Sequence, residues 1–132
     1  MKSVFLDTSG FYAFLCADDP DHERAIDLFH RAERESWDLS TTSLVFHETS
    51  ALVQHRLGRE ALDCWIDQIV PRCRVTWVDE ELGRLGVARW RQARSRLLSL
   101  TDCVSFAFMA ERGIREAIAF DAHFARQGFA LP

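Results

Sequence analysis

Short apolar runs alternate along this chain with longer stretches in which apolar residues recur every three or four positions. Val4, Phe5 and Leu6 form the first run, which reads as a buried parallel strand ended by Asp7. Thr8 or Ser9 then caps a helix through Phe11, Phe14 and Leu15. Pro20 opens a second helix, with Ala25, Leu28, Phe29 and Ala32 on one side. A weak strand at Leu39 to Thr41 leads to a helix capped by Thr42 or Ser43 and stopped at Gly58. Another short helix is predicted over Arg59 to Ile69, and a strand at Val75, Trp77 and Val78. A long helix follows over roughly Glu80 to Arg96. Thr101 and Asp102 start one more, closed at Gly113, and the run "EAIAF" at 116–120 is a strand that again ends in an aspartate, Asp121. A short helix through Phe124 and a brief strand at Phe129 to Leu131 complete the pattern. Strands of this kind between helices predict an α/β fold: a three-layer domain with a mainly parallel central sheet flanked by helices, one domain over residues 1–132.

Composition narrows the chemistry. Hydrophobic residues make up 48% of the 132 positions, enough for a core without disulfides or a structural metal. The cysteines at 16, 64, 73 and 103 form no CxxC pair and read as core or free thiols of a reducing compartment. Asp7 interrupts the first apolar run before a signal peptide can form, and no apolar stretch is long enough to span a membrane. The expectation is a soluble, cytoplasmic protein. A net charge of −4 argues against gripping nucleic acid by bulk charge. Lys2 is the only lysine, which excludes a lysine nucleophile or phosphate-loop lysine deeper in the chain.

Parallel sheets keep their sites at the carboxyl ends of the strands. Asp7 and Asp121 both stand at such ends, Asp102 in a first helical turn, and Glu48 among Phe46, Thr49, Ala51 and Leu52, where burial would be costly. Carboxylates forced together raise one another's pKa unless cations neutralise them, and oxygen-rich clusters suit Mg²⁺ or Mn²⁺. Such ions activate water for phosphodiester hydrolysis. Plainer readings stand beside this one. Asp7 and Asp102 fit helix caps, Asp121 is an ordinary turn residue, and Arg56 or Arg24 would satisfy Glu48.

Four stretches carry a resemblance: "VFLDTSGFYAFL" at 4–15, "TTSLVFHETSALV" at 41–53, "LTDCVSFAFMAERGI" at 100–114 and "AIAFDAHFARQGF" at 117–129. In content and order they resemble the PIN domain, specifically the small VapC-type toxin ribonucleases of toxin–antitoxin pairs. The resemblance implies a metal-dependent endoribonuclease with Asp7, Glu48, Asp102 and Asp121 as catalytic metal ligands for Mg²⁺ or Mn²⁺. Thr8 or Ser9 would orient Asp7 or its water. It also implies an RNA substrate, a VapB-like antitoxin and a homodimer. Family members often carry Thr or Ser before the last acid, where Phe120 stands here, and an acid two residues after it, where His123 stands. His123 then either contacts RNA or faces solvent.

No acid lies between Glu81 and Asp102, while Arg84, Arg89, Arg91, Arg94 and Arg96 accumulate. On a regular helix Arg89 shares a sector with Leu82, Leu85, Ala93 and Leu97, so it is the arginine expected to reach the acids or a substrate phosphate. The aromatic residues, Trp77 and Trp90 among them, read as core or interface rather than as base-stacking platforms. Two further readings remain: a PIN-like scaffold that no longer turns over substrate, and a PIN ribonuclease of RNA processing outside a toxin pair.

Overall fold

The chain order of the strands differs from their spatial order, and that difference creates the site. In the computed structural model, which describes residues 1–132, four strands form one parallel sheet in the order β3-β2-β1-β4. They are β1 (Ser3–Leu6), β2 (Asp38–Thr42), β3 (Arg74–Thr76) and β4 (Glu116–Ile118). The chain steps outward from β1 through β2 to β3, then returns to lay β4 on the other side of β1. The order therefore reverses between β1 and β4, where a doubly wound sheet opens a crevice at its carboxyl edge. Each strand is three to five residues long because two faces of a parallel strand need cover. Val4, Phe5 and Leu6 are fully buried.

Seven α-helices supply that cover: α1 (Thr8–Leu15), α2 (His22–Arg34), α3 (Ser43–Leu57), α4 (Arg59–Cys64), α5 (Glu80–Ala93), α6 (Leu100–Arg112) and α7 (Ala122–Arg126). Thr42 caps α3 by accepting from the Val45 amide, and Gly58 closes it at φ 94°. The expected helix over Arg59 to Ile69 is not uniform. After Cys64 the chain widens into a π-helical turn at Trp65–Ile69 and tightens into a 3₁₀ turn at Val70–Arg72, which contains Pro71. The widened turn places Trp65 wholly inside, edge-on to Phe11 at 5.2 Å and stacked on Phe46 at 5.4 Å. Its Nε1 meets no acceptor, a cost of about 1–3 kcal/mol set against the burial of the indole.

Five further sequence expectations need correcting. The strand expected over 116–120 ends at Ile118, so Ala119 and Phe120 form the turn before Asp121. The helix expected from Pro20 starts at His22, with Asp21 at its N-cap. The long helix from Glu80 stops at Ala93, where Arg94 turns left-handed at φ 50°, so Leu97 lies beyond it and is 68% exposed. The third strand ends at Thr76, which leaves Trp77 and Val78 outside it; Trp77 is 66% exposed, which excludes the core half of the core-or-interface reading. Residues 129–131 form no strand; a single bridge joins Ala130 to Glu116. No helix is long and apolar enough to cross a membrane.

Gly10 sets the spacing at the crevice. It is buried within α1, and a Cβ there would collide with the carbonyl oxygen and side chain of Ile118, the last residue of β4. A carbonyl in a paired strand cannot step aside as a flexible side chain would. Gly10→Ala is therefore expected to lower stability by about 1–3 kcal/mol in urea denaturation, with the midpoint falling and the slope unchanged.

Candidate active site

Leu6 is the last residue of β1, and the next side chain, Asp7, leaves the strand pointing into the crevice while remaining only 4% exposed. Asp7 is also the N-cap of α1. Its Oδ2 accepts from the Ser9 amide at 3.2 Å and the Ser9 hydroxyl at 2.8 Å. The Ser9 oxygen in turn accepts from the Phe120 amide at 3.0 Å. One hydroxyl thus ties the end of β1 to the turn that follows β4. Directly after that turn, Asp121 caps α7 by accepting from the His123 amide at 3.0 Å.

Asp102 arrives from a third direction. Ser99, rather than Thr101 or Asp102, is the N-cap of α6, and the two residues exchange hydrogen bonds: the Asp102 amide donates to Ser99 Oγ at 3.0 Å, and the Ser99 amide to Asp102 Oδ2 at 3.2 Å. The signal for this box was present as Ser99 followed three residues later by an acid. Asp7 has the capping role that the plainer reading gave it, Asp121 is a helix cap rather than an ordinary turn residue, and Asp102 is the third residue of a capping box whose cap is Ser99. The amide-rich helix starts that hold them favour negative charge, which partly offsets their mutual repulsion.

Burial and neighbouring charge nonetheless act against ionisation at two of these aspartates. Burial, then the charge of Asp121, and more weakly that of Asp102, push the Asp7 carboxyl up to about 7, against the pull of its two Ser9 hydrogen bonds. Asp102 is also raised, first by burial and further by Asp121, while its Ser99 bonds and the nearby His123 act in the opposite direction. His123, half-buried, therefore stands near Asp102 and acts against the rise of its carboxyl. None of the three aspartates forms an ion pair.

Glu48 stands apart from this group. It is exposed on α3 and does not contribute to the shifts of Asp7 or Asp102, so the argument from costly burial does not apply to it. The two arginines offered as its partners are engaged elsewhere: Arg24 with Asp21 at 3.5 Å, and Arg56 over the Tyr12 ring at 5.4 Å. Its neighbour Thr49 is fully buried and donates to Thr8 Oγ1 at 3.0 Å, a contact between α3 and α1 that was not anticipated. Thr8 is therefore a strut joining those helices, whereas Ser9 is the residue that touches Asp7. Arg89 lies on a continuous α5, half-exposed at a cleft shared with Cys103, the residue after Asp102.

The donor set suits a hard divalent cation, because it offers carboxylate oxygens whose charge no protein cation neutralises in an ion pair. As the side chains stand, no three acids, histidines or cysteines converge into a ligand cluster. Thiol chemistry has little support here. Burial pushes the Cys73 thiol up to about 12, and burial together with Asp102 raises that of Cys103. The largest cleft, about 520 Å³, is at the other end of the sheet, where β2 begins, between Phe14, Phe29, Trp37, Leu39 and Ile69.

Comparison with known proteins identifies the fold and the family. The PIN domain family model matches residues 4–130. The 23S rRNA-specific endonuclease VapC20 of Mycobacterium tuberculosis is 31% identical over 127 residues, covering 96% of this chain and 95% of its own. The crystal structure of that sarcin–ricin loop cleaving toxin superposes with a TM-score of 0.86 at 29% identity, covering 96% of each chain. More distant structures share the fold alone: VapBC2 from Rickettsia felis, bound to a promoter DNA fragment, at TM-score 0.71 and 9% identity over 98% of this chain and 97% of its own, and FitAcB from Neisseria gonorrhoeae at 0.73 and 15% over 98% and 96%. With its acids gathered at the crevice of this sheet and its likeness to VapC20 running almost end to end, the chain belongs to the PIN domain family, in its VapC-type toxin group.

Proposed function

We propose that this protein is a Mg²⁺- or Mn²⁺-dependent endoribonuclease and the toxin of a type II toxin–antitoxin pair. The observation that carries the reading is the trio Asp7, Asp102 and Asp121, brought from three chain segments so that burial and the charge of Asp121 both oppose ionisation of Asp7 and Asp102. A fold that holds acids in this way stores a need for positive charge. Asp7, Asp102 and Asp121 would hold the ion, with Glu48 as an additional ligand from α3. When bound, such an ion neutralises the carboxylates and supplies an activated water and a Lewis acid for phosphodiester hydrolysis.

The chain's own groups have separable tasks in this reading. Ser9 Oγ keeps Asp7 Oδ2 occupied and so orients the carboxylate toward the crevice. Asp121 meets Asp7 across the β1–β4 junction, and His123 moderates the charge of Asp102. Arg89 is placed to receive a substrate phosphate from the α5 side, bidentately where geometry allows. The relative's substrate makes 23S rRNA the first RNA to offer. An antitoxin and a second copy of the chain complete the proposed assembly, and the cytoplasm is its proposed compartment. RNA processing outside a toxin pair would use the same site.

Asp7→Asn tests the site while preserving a side-chain oxygen for Ser9. RNA cleavage in Mn²⁺ should fall roughly 100-fold or more, and calorimetry should show Mn²⁺ binding weakened in the same sample. If the variant binds Mn²⁺ and cleaves as the parent does, the assignment of Asp7 fails. A folded parent that takes up neither Mn²⁺ nor RNA supports the scaffold reading instead.

The metal-free protein offers a second test through stability. Because the Asp7 carboxyl is raised from 3.8 to about 7 on folding, the native state holds that proton more tightly than the unfolded chain. The resulting penalty is absent below pH 3.8, grows as pH rises, and is complete above about 7. Metal-free Asp7→Asn should therefore be more stable than the parent at pH 8, by on the order of 2–4 kcal/mol. The difference should shrink toward pH 4 in denaturant melts. A gap that widens on acidification would contradict the burial and charge assigned to Asp7.

A further inference from the structure

α5 and α6 pack with unusually little between them, because Gly86 offers no Cβ to the backbone and side chain of Val104. Further along α5 lies a cleft of about 380 Å³, lined from α5, the first turns of α6 and the end of α7. Leu98, Cys103 and Phe106 form its floor. Arg89 and Gln92 reach it from α5, and Gln127 from the C-cap of α7. No acid lines it.

Three features give the cleft chemistry. Arg89 forms no ion pair and lies over no aromatic ring, so its guanidinium is uncommitted. Cys103, the residue after Asp102 on α6, lines the cleft together with Arg89, so the cleft adjoins the helix turn that carries an acid of the crevice. Gln92 and Gln127 each present an amide with donors and an acceptor, the equipment that reads the polar edge of an unpaired base. The α5 segment also carries the acid-free arginine run, so the local field on this flank is positive although the chain as a whole is at −4. A phosphate is repelled by bare acids and is drawn to this side of them.

We propose that this cleft is a nucleotide subsite for the residue flanking the cleaved linkage, with its phosphate on Arg89 and its base edge read by Gln92 and Gln127. The inference rests on the ribonuclease reading and deepens it by assigning base preference to two glutamines outside the acidic motifs. Positioning by phosphate and selection by base edge are separate functions, and this cleft keeps them on separate side chains.

The two functions predict two phenotypes in protein whose fold is checked by thermal denaturation. The probe is single-stranded RNA randomised at the positions flanking the cleaved linkage, with cleavage scored in Mn²⁺ and binding in a non-cleavable analogue. Arg89→Ala should weaken binding about tenfold whatever the sequence, and lower the slope of log affinity against log salt by about 0.7. Arg89→Lys should keep the slope, and Mn²⁺ affinity should match the parent in both. Gln92→Ala combined with Gln127→Ala should leave the salt slope intact and reduce discrimination at one flanking position about tenfold. A parent that cleaves in Mn²⁺ while Arg89→Ala keeps the full slope and the glutamine variant keeps its base preference would overturn the subsite alone. A parent that shows no base preference at any flanking position would overturn the role of the glutamines. A parent that neither binds nor cleaves RNA would overturn the ribonuclease reading, and this inference with it.

Discussion

The hydroxyl of Ser9 is the constraint on which the acidic crevice depends. Strand pairing aligns β1 with β4, but it does not fix the turn beyond β4, and the negative charges of Asp7 and Asp121 act to push that turn away. Ser9 opposes the motion from the middle, donating to Asp7 and accepting from Phe120 in one short bridge. Gly10 allows the bridge by letting α1 lie against Ile118. The sequence "DTSG" is thus a compact solution to one problem: a carboxylate to hold, a strut to α3, a hydroxyl to tie the turn, and a missing side chain to permit the approach.

Much of this was legible in the sequence because parallel strands announce themselves. Runs such as Val4 to Leu6 and Ala117 to Phe120 are too short and too apolar for surface helices, and an aspartate after each marks the carboxyl edge. The aspartates were readable for the same reason. Glu48 was not readable in its environment: apolar neighbours in sequence point around a helix in all directions, and α3 turns this carboxylate outward. Trp77 misled through composition, since a large aromatic beside Val75 and Val78 looks like strand interior, whereas the three-residue strand ends one position earlier. The π-turn at Trp65 had no local signal at all, because it is set by the fit of that indole between Phe11 and Phe46.

The electrostatic layout is graded rather than uniformly acidic. From Asp7, the most deeply buried acid, charge changes outward through Asp102 and its counter-charge His123 to the uncommitted Arg89. A histidine at position 123 therefore shifts one step of this gradient toward positive beside Asp102. Buried hydroxyls keep the scaffold beneath it rigid: Thr41 donates to the Leu6 carbonyl at 2.7 Å, and Thr49 to Thr8 at 3.0 Å. Each satisfies a polar group where water is excluded.

The lone bridge between Ala130 and Glu116 has a consequence for how copies of this chain can meet. Ala130 accepts from the Ala117 amide and donates to the Arg115 carbonyl, so the outer rim of β4 is already occupied by a stub too short to be a template. At the opposite rim, β3 offers three residues, the first of them the exposed Arg74. Short, charged or covered rims deny a neighbouring molecule a place to continue the sheet. Any lasting self-association of this protein must then be written on its helices, where side chains rather than backbone decide the partner.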